Sequence, residues 1–164
     1  MLFRNKWGGP VICRQNGLCG PWVMDKPERV ITAFPKGAGN KECVALAQAT
    51  LQMPLTKYWR AGDKVFGHPG PKYYKGIEIV GSGLAKGTVI ATFVKGKYPN
   101  LSHGNHVAIY IGQGKNYIKV IDQWRGQTPH YRNIYQKKGM SNRSNNANAF
   151  SVVLTQLAPP HGHK

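Results

Sequence analysis

Two rhythms of apolar residues run along this chain, and the change from one to the other divides it. Val44, Ala47 and Leu51 recur at i, i+3 and i+7 among good helix formers, the stripe of a helix laid against a core. Asn40 is placed to cap that helix, Gly37 and Gly39 let the chain enter sharply, and Met53-Pro54 ends it, because the residue before proline is driven out of helical angles. Beyond it the rhythm is that of strands. Residues 87–94 are β-branched and bounded by Lys-Gly on both sides, which predicts a buried strand. Residues 106–112 and 117–124, joined by the turn residues Gly112 to Asn116, predict a hairpin. Residues 131–135 and 150–157 add shorter strands. A helix followed by an antiparallel meander of about five strands is an α+β domain.

The intervening stretches predict irregular structure. Residues 62–76 are crowded with glycine and proline, and the Asn, Ser and Lys content of residues 137–149 marks a mobile loop. Residues 1–36 read as an irregular, basic lead-in wrapped on one domain spanning 37–157, with residues 158–164 as a flexible tail. No internal repeat is visible. At 164 residues, 41% of them hydrophobic, the chain is of a size for one core.

Charge changes the picture more than length does. There are 23 Lys and Arg against 6 Asp and Glu, a formal +17, so the surface should seek polyanions such as envelope polymers, headgroups or nucleic acid. The basic residues are spread along the whole chain rather than gathered with aromatics into a nucleic-acid motif, which argues against a nucleic-acid partner. Of the acids, Asp122 alone lies within a strongly apolar strand. No run is long enough to span a membrane, and the N-terminus has no apolar region of secretory-signal length, so export would need a dedicated route. Cys13 and Cys19 are spaced for a local disulfide or stand as two reduced thiols, and either way Cys43 remains free. No paired Cys/His spacing suggests zinc, and the closing His161-Gly162-His163-Lys164 reads as a frayed end rather than a metal site; no metal or cofactor is expected.

Cys43 falls at the start of the predicted helix, where the positive end of the dipole favours thiolate. A free cysteine in an apolar helix is commonly only packing, so its partners decide. In the predicted hairpin, His106 opens one strand and Asp122 closes the next, which brings them side by side. A nucleophile, a base and a carboxylate to orient the base are then present: Cys43, His106 and Asp122. Gln123 is an alternative third member, but adjacent strand residues face opposite ways and only Asp122 brings charge. His103 is a rival base in a Gly-rich turn, Asn105 a candidate to hold His106, and Glu42 a negative neighbour that should raise the thiol pKa. Tyr58, Trp59 and Trp124 are candidates to line a substrate groove. The Cys43 backbone N–H is a candidate for half of an oxyanion hole.

The order of these pieces, a helix-start cysteine, then Gly87-Thr88-Val89-Ile90, then Ser102 to Trp124, resembles the NlpC-type and CHAP-type papain-like cysteine peptidases of bacterial cell walls. The resemblance covers roughly residues 37–125. It implies a papain-like fold, an N-terminal helix carrying the cysteine packed on an antiparallel sheet, with Cys43, His106 and Asp122 in the catalytic roles. Thr88 stands where the family pattern has Asp, a departure that touches none of the three. Small size and the single domain further resemble the amidase effectors of type VI secretion. That implies cleavage of an amide in the peptidoglycan stem peptide, export into a target periplasm, and an immunity protein as partner, acidic to suit this surface. Two other readings stand beside it: the same fold acting as deamidase, acyltransferase or transpeptidase, and a basic binding module in which Cys43 is core.

Overall fold

The computed structural model describes residues 2–5, 7–68, 72–74, 77–79, 84–99, 101 and 104–156. His103, the closing residues 161–164 and the whole tail 158–164 lie outside the described residues.

Strands β1 (Leu2–Asn5) and β2 (Gly8–Ile12) form a hairpin of their own. Then come β3 (Leu18–Cys19), a short helix α1 (Arg29–Ala33) and the helix α2 (Cys43–Leu51). The remaining strands are β4 (Trp59–Lys64), β5 (Lys72–Tyr74), β6 (Ile77–Ile79), β7 (Val89–Thr92), β8 (Val107–Gln113), β9 (Tyr117–Trp124), β10 (Gln127–Tyr135) and β11 (Phe150–Gln156). The main sheet runs β10-β9-β8-β7-β11-β3 with β4 also on β11, all antiparallel, and the β5–β6 hairpin joins β8 through a parallel bridge. The architecture is α+β, as expected, but the sheet is wider than about five strands.

The width comes from stretches whose composition hides them. Residues 62–64, expected in a loop, belong to β4, because Gly62 lets β4 lie against β11: a Cβ there would stand 3.1 Å from the Val152 carbonyl oxygen. The lead-in is not irregular. β3 pairs with β11, Trp22 and Met24 run beside β7 through the bonds Val89 N–H to Trp22 O (2.8 Å) and Met24 N–H to Gly87 O (2.8 Å), and the Trp22 indole donates to Thr155 Oγ1 at 3.1 Å. Gly87 is obligatory there, since a Cβ would meet the Met24 carbonyl oxygen at 2.0 Å.

The sheet is buried on both sides, which is why β8 reads as an unbroken apolar run. One side packs Leu46, Ala47 and Leu51 of α2 against Val107, Ile109 and Ile121, together with Val11, Trp22, Met24 and Val30 from the first thirty residues. The other side gathers Ala108, Tyr110, Val120, Ile134, Phe150 and Val152. Residues 137–149, expected as a mobile loop, fold around buried Asn146, whose Oδ1 accepts from Lys137 and Asn148 N–H (3.1 and 3.0 Å) and whose Nδ2 donates to Gly139 and Ser141 carbonyls (3.0 and 2.7 Å). The same asparagines that suggest mobility thus supply the bonds that remove it.

Candidate active site

Cys43 is the first residue of α2 and is half-buried. The cap differs from expectation: Glu42 is the N-cap and contributes no side-chain bond, while Asn40 Oδ1 accepts the Glu42 N–H at 3.1 Å and so shapes the turn before the helix. The entry loop is held instead by Gln123. Its Oε1 accepts the Ala38 N–H at 2.8 Å, and its Nε2 donates to the Ala38 and Glu42 carbonyls at 3.1 and 2.7 Å. Gln123 is therefore turned away from the histidine, as alternation along β9 requires.

His106 precedes β8, and Thr92 fixes it in place: the Thr92 hydroxyl accepts the His106 N–H at 2.9 Å while the Thr92 N–H donates to the His106 carbonyl at 3.0 Å. Register places Ile109 opposite Ile121, so His106 and Asp122 stand diagonal to each other across β8 and β9. His106 Nε2 lies 2.6 Å from Asp122 Oδ2. A side-chain hydrogen bond and the charge interaction also link the ring to the Cys43 thiol. Asp122 is fully buried and its Oδ2 also accepts from Arg132 Nε and Nη2, at 3.0 and 2.7 Å. Arg132 was not among the residues expected here. Its signal is register: His130 pairs with Asp122, so Arg132 sits diagonal to the carboxylate on β10, and only a pairing that sequence does not print reveals it.

Burial pushes the Cys43 thiol up, but the hydrogen bond and charge of His106, with the Val107 N–H and the Tyr98 hydroxyl, outweigh it and bring the thiol below its ordinary value. Burial would likewise lower His106, yet the bond to Asp122, the contact with Cys43 and both negative charges raise it to about 9. Asp122 is pushed up by burial and brought below the usual carboxylate range by His106 and Arg132. All three directions favour one state: thiolate, imidazolium, carboxylate. Glu42 does not reverse this. Its carboxylate turns outward to Arg125 Nε at 3.1 Å, where solvent and the guanidinium screen it.

The aromatic candidates divide. Trp124 is 40% exposed and sets its ring edgewise against His106 (6.3 Å between centroids) and His130 (5.1 Å), with the Arg132 guanidinium 5.3 Å over it. Trp59, expected in the groove, is fully buried, bonded through its indole to the Pro54 carbonyl at 2.9 Å, and backs Tyr98 at 5.5 Å. Tyr58 is half-buried beside Lys57. Tyr98 is the aromatic that reaches the thiol: its hydroxyl is 4.0 Å from Cys43 Sγ and accepts from Asn105 Nδ2 at 3.2 Å. Burial first, then the neighbouring Cys43 charge, raise the phenol's pKa, so it stays a neutral donor whose proton is free to face sulfur. Asn105 thus holds Tyr98 rather than His106. Nothing in the sequence alone ties residue 98 to residue 43.

A cysteine at a helix start, beside a histidine bonded to a buried carboxylate, on an antiparallel α+β scaffold, resembles the arrangement expected of a papain-like amidase. The comparisons with known proteins give the family. The chain belongs to the domesticated amidase effector 2 family, whose model matches residues 14–153. It is 40% identical over 90 residues to a type VI secretion amidase effector 2 protein of Salmonella typhi, a match taking in 55% of this chain and 58% of that one. The chain therefore spans less than two thirds of the length of that curated relative. The solved structure of a type 6 secretion amidase effector 2 superposes with a TM-score of 0.64 at 31% identity, over 87% of this chain and 99% of the other.

Proposed function

We propose that this chain is a cysteine amidase that hydrolyses an amide bond in the peptidoglycan stem peptide, with Cys43 as nucleophile, His106 as proton carrier and Asp122 as the group that orients it. The single observation that carries the reading is the 2.6 Å bond between His106 Nε2 and Asp122 Oδ2, made by a ring that also interacts with the Cys43 thiol. The family match to amidase effectors supports an amide as the bond attacked, and the envelope peptide is the substrate this reading assigns.

In that mechanism the Cys43 thiolate attacks the carbonyl carbon, and the negative oxygen that forms is met by the Cys43 backbone N–H at the start of α2. The imidazolium of His106 then donates a proton to the departing amine, leaving a thioester on Cys43. Water, deprotonated by the now neutral His106, attacks the thioester, releasing the carboxylic acid and restoring the thiolate and imidazolium. Asp122 stays ionised throughout and Arg132 keeps it so. In this reading Trp124, exposed beside His106, and half-buried Tyr58 face the substrate, and Trp59 backs Tyr98.

Two features fit work outside the cell that makes the protein, reached by a dedicated secretion route. The formal +17 charge suits an anionic envelope, and an acidic immunity protein would complement the same surface. Cys13 and Cys19 form a disulfide, a bond that persists in oxidising compartments.

The test is mass spectrometry of muropeptides incubated with wild type and with Cys43→Ala. New amine and carboxyl termini with wild type alone support the reading and name the bond. Products joined to a second peptide in place of water would make the chain a transferase, and unchanged muropeptides would remove the substrate.

A further inference from the structure

Beside the catalytic groups lies a second feature, a pocket of about 410 Å³ between β4, β11 and the turn after β10. Phe93, Val94 and Met140 give it an apolar wall, and its charged lining is Lys64 and Arg143 with no carboxylate. We propose that this pocket is a subsite for a free carboxylate on the peptide that flanks the scissile amide, with Lys64 and Arg143 receiving the carboxylate and Phe93 packing on the aliphatic chain that bears it. The proposal rests on the amidase reading for its substrate, and on its own observations for the site.

The first observation is the absence of a counter-ion among the described residues. Among the described residues Asp25, Glu28, Glu42, Asp63 and Asp122 are the acids whose side chains are placed. Glu28 pairs with Lys86, Glu42 with Arg125, Asp63 with His68, and Asp122 with His106 and Arg132. None of these ion pairs involves Lys64 or Arg143. Asp63 is next to Lys64 in β4 but alternation sends it the other way, to line a different cavity with His68. Arg143 is half-buried, its Nε donates to a carbonyl, and it has no anion among the described residues, so its guanidinium is available to a carboxylate.

The second observation is that the pocket is built onto the catalytic frame. Arg143 Nε donates to the Gly104 carbonyl at 3.3 Å, two residues before His106. The turn that carries Arg143 is tied by Arg132, which donates to Asn145 Oδ1 at 2.9 Å and to the Ser144 carbonyl at 3.4 Å while it grips Asp122. Phe93 follows Thr92, the residue that fixes His106, and sets its ring edgewise on Tyr98 at 6.4 Å; the Tyr98 hydroxyl is 4.0 Å from Cys43 Sγ. A peptide whose amide lies at Cys43 therefore finds the aromatic wall next to it and the cations beyond. A guanidinium and an ammonium over an apolar wall match a carboxylate on a short aliphatic chain, and a carboxamide would leave both charges uncompensated.

Muropeptides released by a muramidase, and the same material with its carboxylates converted to carboxamides by carbodiimide and ammonia, separate the possibilities. Calorimetric titration of the Cys43→Ala protein should show the native peptides binding about tenfold more tightly than the amidated ones, a difference of about 1.4 kcal/mol. Adding Lys64→Gln and Arg143→Gln should abolish that preference. Lys64→Gln alone, at an exposed position that cannot threaten folding, should remove part of it. Equal affinity for the two preparations, a preference that survives the double substitution, or no binding of either would overturn the subsite. Digestion by wild type is scored separately. Cleavage without a carboxylate preference leaves the amidase reading and sinks the pocket, while preferential binding without cleavage does the reverse.

Discussion

Asp122 and Gln123 are neighbours on β9, and between them they hold both halves of the site: Asp122 grips the His106 ring at 2.6 Å, and Gln123 grips the loop that leads into Cys43 through bonds of 2.8, 3.1 and 2.7 Å. Because consecutive strand residues point to opposite sides, one strand can set the base from one side and the nucleophile's entry loop from the other.

Gln123→Glu keeps size and keeps the acceptor for Ala38, but it turns a donor to two carbonyls into a third oxygen facing them. The expected cost is about 1–3 kcal/mol of stability, the range for leaving buried polar groups unsatisfied. Turnover should fall further than stability explains, with KM little changed, because the misplaced group is the entry to the Cys43 helix. Denaturant melts and steady-state kinetics on the same preparation check both.

Asp122→Asn removes the charge that holds the imidazolium and leaves Arg132 buried against a neutral amide. Turnover should drop by about 10²–10⁴-fold, the range for losing effective acid–base catalysis. A variant with nearly wild-type kcat would take Asp122 out of the site.

This carboxylate shows how far sequence reaches. The β8–β9 hairpin was legible because its β-branched runs and Gly turn are local signals, and residues 117–124 coincide with β9. From the hairpin the diagonal of His106 and Asp122 followed. What was not legible depends on contacts between distant segments. Gly62 and Asp63 belong to a strand only because β11 lies alongside. Trp59 reads as a groove residue until its indole is seen capped by the Pro54 carbonyl. Tyr98 enters the site through a contact with a residue far from it in the chain, Arg132 through the register of the β9–β10 hairpin, and the Asn-rich turn is ordered by a buried side chain that composition counts as a loop former.

The pH dependence of stability should separate the partners. His106 rises from 6.5 to about 9, so its contribution is complete below 6.5 and is lost as pH climbs toward 9. Cys43 is lowered from 9.0, so its contribution is present above 9.0 and is lost as pH falls through its lowered value, the opposite sense to that of His106. Wild-type Tm should therefore fall less between about pH 6.5 and 9 than that of Cys43→Ala, which keeps the Asp122 bond but has no thiolate to offset the loss. Asp122, lowered from 3.8, adds stability above that value that is lost in both proteins as pH falls below it. Parallel Tm curves above neutrality would show that the thiol and the ring are not paired.

Reduction of the Cys13–Cys19 bond, which closes a sequence separation of 6, should cost roughly 2 kcal/mol by loop-closure entropy. The bond joins Cys13 to the end of β3, which pairs with β11, and neither cysteine is among the groups that shift the Cys43 thiol, so Tm should fall in reductant while the reactivity of Cys43 toward alkylating agents holds. A lost Cys43 reactivity on mild reduction would place the N-terminal segment in the site's support.

The account's central claim is that His106 holds Cys43 as a thiolate, and the rate of iodoacetamide alkylation at Cys43 against pH tests it most directly. Wild type should react at a rate that persists well below the ordinary thiol value of 9.0, while His106→Ala, left with burial opposing the charge, should lose that reactivity near neutrality. A wild-type profile that follows an ordinary thiol, or one that His106→Ala does not change, would contradict it.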